Sequence, residues 1–529
     1  MENSADGTAA SRHPLTRGFG RRNFLAGAGA LAGLGLTATL PGSPTARAGT
    51  TGSASETSQW RPSVCFTPER NWMNDPNGMV YFKGEYHLFF QHNPYGDQWG
   101  NMSWGHAVST DLVHWKQLPV ALEPDELGDI FSGCAVVDQH DTSGLFGGGP
   151  GLVALYTSAG DTQQQSLAYS SDRGRSWTKY SGNPVIPNSG EADFRDPKVF
   201  WHAATNRWVM SIAVGDRIRF YGSPNLLQWE QLSEFGANHG AHGGVWECPD
   251  LFRLPVDGDD RRGKWVLIVS INPGGPAGGS GMQYFLGDFD GTTFTPDAAP
   301  DDVLWADEGS DFYAAVSWSD VPDGRRLWLG WMSNWSYAAD VPTSPWRGGM
   351  SVPRELELVS TAAGTRLAQQ PVRELERVRR NRRAWSGTVS EQGGAPDTAG
   401  TALDIVAEFR LAGATATSFG FDVFAGGSYR TRIGYDVTTQ ELFVDRRSSG
   451  RTTVHSSFPA RHTVALPPTD GVLRLRIVLD RANVQVFGDR GQAVITDLVF
   501  PDEGSTRAST FATGGEVTVQ SLEVFDLDA

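Results

Sequence analysis

Short runs in which hydrophobic and polar residues alternate occupy much of this chain, and most end at Gly, Asp, Asn, Ser or Pro. "LRLRIVLD", "NVQVF" and "AVITDLVF" are examples. A period of two puts every second side chain on one face of a pleated strand, whereas a helix needs apolar residues at three- and four-residue intervals. Stretches of the second kind are few, so the pattern predicts mostly β structure. The run "NWMNDPNGMVYF" (Asn71 to Phe82) raises a question. Asp75-Pro76-Asn77-Gly78 predicts a turn, and the alternation after it predicts the strand of a hairpin. A turn does not need Trp72, Met73 and Asn74 crowded against it, so the stretch reads either as a decorated hairpin or as a carboxylate held at the mouth of a pocket.

A longer period is also present. "STDLVHW" ends at Trp115, "SSDRGRSW" at Trp177, "GSPNLLQW" at Trp229 and a looser "GDFDGTTF" at Phe294. Each is a polar turn leading into an aromatic residue between strand-like runs. Spacings of about 50–65 residues suit one four-stranded propeller blade with its loops. These four units and the one holding "NDPNG" predict five blades. After "MSVPREL" the texture changes, with a break near residue 375. "PVRELERVRRNRRAW" (Pro371 to Trp385) predicts a basic, helix-like, solvated connector. Beyond it, short alternating runs and Gly/Asp turns predict an antiparallel sandwich. The expected fold is thus all-β, a five-bladed β-propeller over 49–370, a linker over 371–384 and a C-terminal β-sandwich over 385–529.

A length of 529 residues agrees with two cores rather than one. Residues 1–48 stand apart from either. Arg21-Arg22-Asn23-Phe24-Leu25 is a twin-arginine pattern, an apolar run continues to Leu40, and Ala46-Arg47-Ala48 fits a cleavage site. The expectation is a secreted protein, its leader cut near Ala48, with no later segment apolar and long enough to cross a membrane. The leader carries five arginines against Glu2 and Asp6, a net of +3, so without it the formal charge of −16 becomes −19. A surface that acidic repels nucleic acid and favours a neutral partner. Three scattered cysteines, Cys65, Cys134 and Cys248, build no disulfide framework, and neither Cys-x-x-Cys nor His-Glu-x-x-His occurs. No metal or cofactor is expected, and the mature protein is expected to be a monomer.

The chemistry is sought among carboxylates in unusual settings. Asp75 lies in "WMNDPNG", Asp196 in "DFRDPKVF" after Arg195 and before a proline expected to end the strand, and Glu247 in "GVWECPDLF" between Trp246 and Cys248. They fall one to two blades apart, so a central channel can bring them together. Glu247 in an apolar strand is costly unless partnered, and both burial and a neighbouring carboxylate favour its protonated form, as a general acid requires. Paired carboxylates are the machinery of sugar hydrolysis.

"NWMNDPNG", "FRDP" and "WECPD", in that order, resemble the three signature motifs of glycoside hydrolase family 32, which includes invertases, inulinases and levanases. The resemblance also covers "HLFFQHNPYGDQWGNMSWGHAVSTDLVHW", "GDIFSGCAVV", "GGSGMQYFLGDFDG" and "GWMSNW", and so most of the chain after the leader. It implies a five-bladed propeller followed by a sandwich. It also implies that Asp75 is the nucleophile, Glu247 the acid and base, and Asp196 the transition-state stabiliser. Asn74, Gln91, Trp99, Phe131, Ser132, Arg195 and Trp331 are the implied fructose-pocket positions, with Tyr313 a weaker candidate and Trp72, Trp99 and Trp331 as aromatic walls. Two positions depart from the family pattern: Cys65 stands where His is usual and Gln485 where Glu is frequent. The resemblance leaves levan, inulin and sucrose open as substrates, and exo-release of fructose is favoured. Levanbiose release, fructosyl transfer, an inverting arabinan or xylan hydrolase and a non-catalytic fructan-binding propeller are the alternatives.

Overall fold

From Asn71 to Pro371 the chain folds back on itself in five successive sheets of four main strands. The computed structural model describes residues 59–529; the export leader expected over residues 1–48 lies outside them. The first strands of the sheets are Asn71–Phe82, Asp129–Asp138, Phe194–His202, Val245–Val256 and Tyr313–Ser317. They stand side by side in a ring, the fifth returning to the first, and line a central channel. This is the five-bladed propeller. The fourth and fifth blades also share one parallel pair, Val256 with Leu358, and Trp346–Arg347 pairs with the start of the first blade.

The repeated turn connects the third strand to the fourth in each of the first three blades. Ser109 Oγ accepts from the Leu112 N–H at 2.8 Å, Asp111 Oδ1 from the His114 N–H at 2.9 Å, and the Trp115 indole donates to Leu112 O at 3.1 Å. Ser170, Asp172 and Trp177 make the same set, as do Ser223, Asn225 and Trp229. A short polar side chain caps the backbone donors of a tight bend, and the tryptophan closes it from the far side. Between blades, side chains such as Val136, Leu155, Val199 and Ile212 form continuous buried clusters. Each fully buried aliphatic group of this size contributes about 1.5–3 kcal/mol.

The basic connector is corrected by the structure. Arg373–Val378 forms one short 3-10 turn, and Arg379–Val389 is already an edge strand of the sandwich. Its arginines pair across the ladder or with nearby strands: Arg379 with Asp404 at 2.7 Å, Arg383 with Asp526 at 2.5 Å, and Arg382 with Glu523. Local helix preference yields to a neighbouring strand that supplies opposite charge. The sandwich consists of two six-stranded sheets around Leu403, Ile405, Phe419, Ile433, Ile477 and Val486.

Cys65 and Gln485, the two departures from the family pattern, meet where propeller and sandwich join: the Gln485 amide lies 3.5 Å from Cys65 Sγ. Nearby, the residues from Glu308 to Asp311 run along sandwich strand Ala493–Leu498, with Glu308 N–H on Val494 O (2.9 Å) and Asp311 N–H on Thr496 O (3.0 Å). Arg446 reaches across to Asp311 at 2.6 Å, both fully buried. His462 spans the same seam, with Nδ1 2.8 Å from Asp497 and Nε2 3.0 Å from Ser310 Oγ. Burial works against the His462 charge, but the Asp497 carboxylate outweighs it and holds the imidazolium above its ordinary range.

A group raised on folding stabilises fully below its unfolded value of 6.5, and that stability is lost as pH rises through the folded value. Melting temperature should therefore decline as pH rises above 6.5, and His462→Gln should flatten that decline. Calorimetry over this range checks it; an equally steep decline in the variant would count against the His462 linkage.

Candidate active site

In all five first strands, one extra residue interrupts the pairing at the same level of the channel. Across Met73–Pro76, Ile130–Gly133, Arg195–Lys198, Glu247–Asp250 and Tyr313–Val316 the inner strand advances three residues while its partner advances two. A bulge of this kind frees residues from the ladder and re-aims their side chains. Asp75, Ser132, Asp196, Glu247 and Tyr313 all lie within or at the edge of these breaks. Pro76, Pro197 and Pro249 occupy them too, where no ladder N–H is required. The backbone is left-handed at Asp196 (φ 66°), Cys248 (47°) and Ala314 (53°).

The expected hairpin at "NDPNG" is therefore absent. Strand Asn71–Phe82 runs through all four turn-type residues, accommodating them in two interruptions. Pro197 likewise sits inside strand Phe194–His202 and does not end it.

The three carboxylates converge, each 4–5% exposed. Asp75 accepts from Ser132 Oγ at 2.7 Å and from the Asn74 amide at 3.0 Å, and Asn74 is itself oriented by the Trp72 indole at 2.8 Å. Glu247 accepts from Arg195 Nη2 at 3.0 Å and from the Tyr313 hydroxyl at 2.5 Å. Arg195 Nε also stands 3.9 Å from Asp196. Asp196 accepts from the Cys248 N–H at 3.0 Å, and Cys248 Sγ lies 3.6 Å from both Asp196 and Asp75. One guanidinium and one thiol thus bind the three acids into a single cluster.

Burial pushes Asp196 up to about 7; Arg195 opposes the rise, and the charges of Glu247 and Asp75 add to it. Glu247 has two close donors, while the Arg195 guanidinium stands 3.9 Å from Asp196. Buried beside Glu247, Tyr313 is held well above its ordinary range and stays a donor.

Phe131 and Trp99 are half-buried and meet edge to face at 6.0 Å, forming an aromatic wall. Trp331 and Trp72 do not share in it. Both are buried to 1% exposure or less, so neither ring offers a face to a ligand; Trp331 backs Tyr313 and Trp72 holds Asn74. Gln91 is engaged below, donating to Asn77 at 2.8 Å and Ile130 O at 3.0 Å. Sequence reasoning missed Asp193 and Gln163, which take the remaining guanidinium arm of Arg195 at 2.6 and 3.3 Å. Asp193 was findable as an acid two residues before Arg195, just ahead of strand Phe194–His202. A cavity of about 460 Å³, lined by Lys198, Trp201, Asp250 and Arg253, lies further along the same inner strands, toward the other end of the channel.

Residues 65–371 match the Glycosyl hydrolases family 32 N-terminal domain, and residues 374–526 match Glycosyl hydrolases family 32 C terminal. A levanase of Bacillus subtilis (strain 168) is 55% identical over 476 residues, covering 88% of this chain and 70% of the relative. An extracellular exo-inulinase of Aspergillus awamori is 41% identical over 511 residues, covering 88% and 94%. The crystal structure of exo-inulinase from Aspergillus awamori superposes with a TM-score of 0.84 at 39% identity, over 89% of this chain and 98% of that one. A β-fructofuranosidase from Schwanniomyces occidentalis, complexed with fructosyl-erythritol, gives 0.83 at 34% identity, over 90% and 99%. The chain belongs to glycosyl hydrolase family 32.

Proposed function

We propose that this protein is a secreted, retaining β-fructofuranosidase that releases fructose from the non-reducing ends of levan or inulin and also cleaves sucrose. The observation that carries the proposal is the convergence of Asp75 and Glu247, differently equipped, on one cluster. Asp75 receives two hydrogen bonds from neutral donors, which favour its ionised form. Its oxygen attacks the anomeric carbon and the glycosidic bond breaks, giving a fructosyl-enzyme. Glu247 gives its proton to the departing oxygen, then takes one from the water that releases fructose. Asp196, beside Arg195, binds fructose hydroxyls and steadies the oxocarbenium-like transition state, where negative charge near the ring is most favourable. Burial pushes Asp196 up to about 7, so a proton is retained in the carboxylate cluster near neutrality. Activity is accordingly highest at mildly acidic pH.

The named activities of the levanase and exo-inulinase relatives support the substrate class. A formal charge of −16 suits an uncharged polymer. Early products from levan, inulin and sucrose, separated by chromatography, discriminate the modes: fructose alone supports exo-cleavage, difructose a biohydrolase, longer oligomers endo-action.

Asp75→Ala and Glu247→Gln should each lower fructose release by about a thousandfold or more with the melting temperature retained. Near-normal turnover in either folded variant removes the mechanism. Ser132→Ala deletes one donor to the ionised Asp75. Its loss should lower kcat/KM about tenfold or more and move the acidic limb of the pH–rate profile to higher pH. An acidic limb left in place would show that Asp75 is not the group that must be ionised.

A further inference from the structure

The hydroxyl that bears on Glu247 is held by the other domain. Tyr313 begins its strand directly after the segment Ala306–Phe312, and the sandwich strand Ala493–Leu498 supplies much of what fixes that segment. Asp307 accepts from the Thr496 N–H at 2.8 Å and its hydroxyl at 2.6 Å. The Glu308 and Asp311 backbone N–H groups donate to Val494 O and Thr496 O. Gly309 lies so close that a Cβ there would stand 2.2 Å from Thr496 O. Ser310 N–H donates to Asp497 at 3.1 Å. Asp311, two residues before Tyr313, is gripped by Arg446 at 2.6 Å, the Leu498 N–H at 2.8 Å and the Tyr337 hydroxyl at 2.7 Å. Tyr337 in turn accepts from Arg446 at 3.0 Å. Phe312 lies 4.0 Å beneath the Arg354 guanidinium.

We propose that Arg446 and Tyr337 are positioning residues: through Asp311 they set the placement of Tyr313, and so the strength of its hydrogen bond to Glu247. The proposal rests on Glu247 being the acid and base. It gives the sandwich a part in the reaction without contributing a group that touches substrate. Bulge geometry makes the linkage tight, because Ala314, immediately after Tyr313, is already in a left-handed conformation with little freedom to absorb a shift. The charged and titratable groups facing the pair are Asp311, Asp497, His462 and His455.

The experiment measures kcat, KM and the pH profile on sucrose for the full chain carrying Arg446→Lys, Tyr337→Phe, Tyr313→Phe, and each of the first two combined with the third. Tyr337→Phe removes only a bridging hydroxyl and leaves the Arg446–Asp311 contact, so it remains informative where Arg446→Lys fails to fold. Arg432→Ala, which breaks the Asp422–Arg432 pair on the second sandwich sheet, is the control for general destabilisation. The expected result is a severalfold loss of kcat with KM retained. The basic limb should move to higher pH, because a weakened donor disfavours ionised Glu247. In the Tyr313→Phe background both effects should vanish. A wild-type profile in Tyr337→Phe, losses that add in full to those of Tyr313→Phe, or equal losses in Arg432→Ala at matched melting temperature would each overturn the proposal. Turnover surviving in Glu247→Gln would instead remove the mechanism beneath it, so the two failures are distinguishable.

Discussion

The site depends on a mismatch of one residue, made five times at one height in the channel. A regular strand sends neighbours to opposite faces, so it can offer the channel only every second side chain. The interruptions between Met73 and Pro76, Arg195 and Lys198, and Glu247 and Asp250 release that constraint. Asn74 and Asp75, Arg195 and Asp196, and Glu247 and Cys248 all enter the same cluster as adjacent pairs. The left-handed backbone at Asp196 and Cys248 costs on the order of 1–3 kcal/mol apiece. It is tolerated because the surrounding blades leave no alternative: both residues are buried, and the Cys248 N–H, freed from the ladder, finds its acceptor in Asp196.

The charges obey the same economy of position. Three buried carboxylates and one buried guanidinium, all ionised, leave two uncompensated negative charges, so the cluster keeps a proton where isolated carboxyls would have lost theirs. Arg195 is divided among Asp193, Asp196 and Glu247, which fixes its plane and spaces the acids around it. Neutral donors serve Asp75, and the phenol serves Glu247. The asymmetry between Asp75 and Glu247 thus comes from their partners, since their exposures are alike.

The overall architecture was legible because its signals are local. The Ser/Asp–Trp turn closes on itself within a few residues, so its spacing marks blades whatever the rest of the chain does. The bulges were not legible as such, because Asp, Asn, Pro and Gly favour both a turn and a ladder interruption, and the difference lies in whether a partner strand continues alongside. For Asn71–Phe82 it does, in strand Glu85–Asn93, which sequence alone does not register. The arginine-rich stretch failed for a related reason: the acids that make Arg379–Val389 a strand sit more than a hundred residues away, at Glu523 and Asp526. Trp331 and Trp72 were placed in the right neighbourhood but at the wrong depth, since identity in a motif says nothing about which side of a side chain faces solvent.

The seam between the domains shows why charge is buried so far from the chemistry. Arg354 is fully buried and donates to Asp307, Gln369, Gln485 and Thr496. Arg446 does the same for Asp311 and the backbone of Leu498. Buried ion pairs of this kind add little stability over apolar contacts of equal volume, because desolvation cancels most of the attraction. What they add is register. An apolar seam tolerates sliding, whereas displacing strand Ala493–Leu498 by one residue would take the Thr496 N–H and hydroxyl from Asp307 and the Leu498 N–H from Asp311, leaving buried carboxylate oxygens short of donors. Tyr313 Oη meets Glu247 at 2.5 Å, and the segment that leads into it is fixed by backbone hydrogen bonds to the sandwich. A seam that permits a single register is therefore what a close hydrogen bond from Tyr313 to Glu247 requires of the domain behind it.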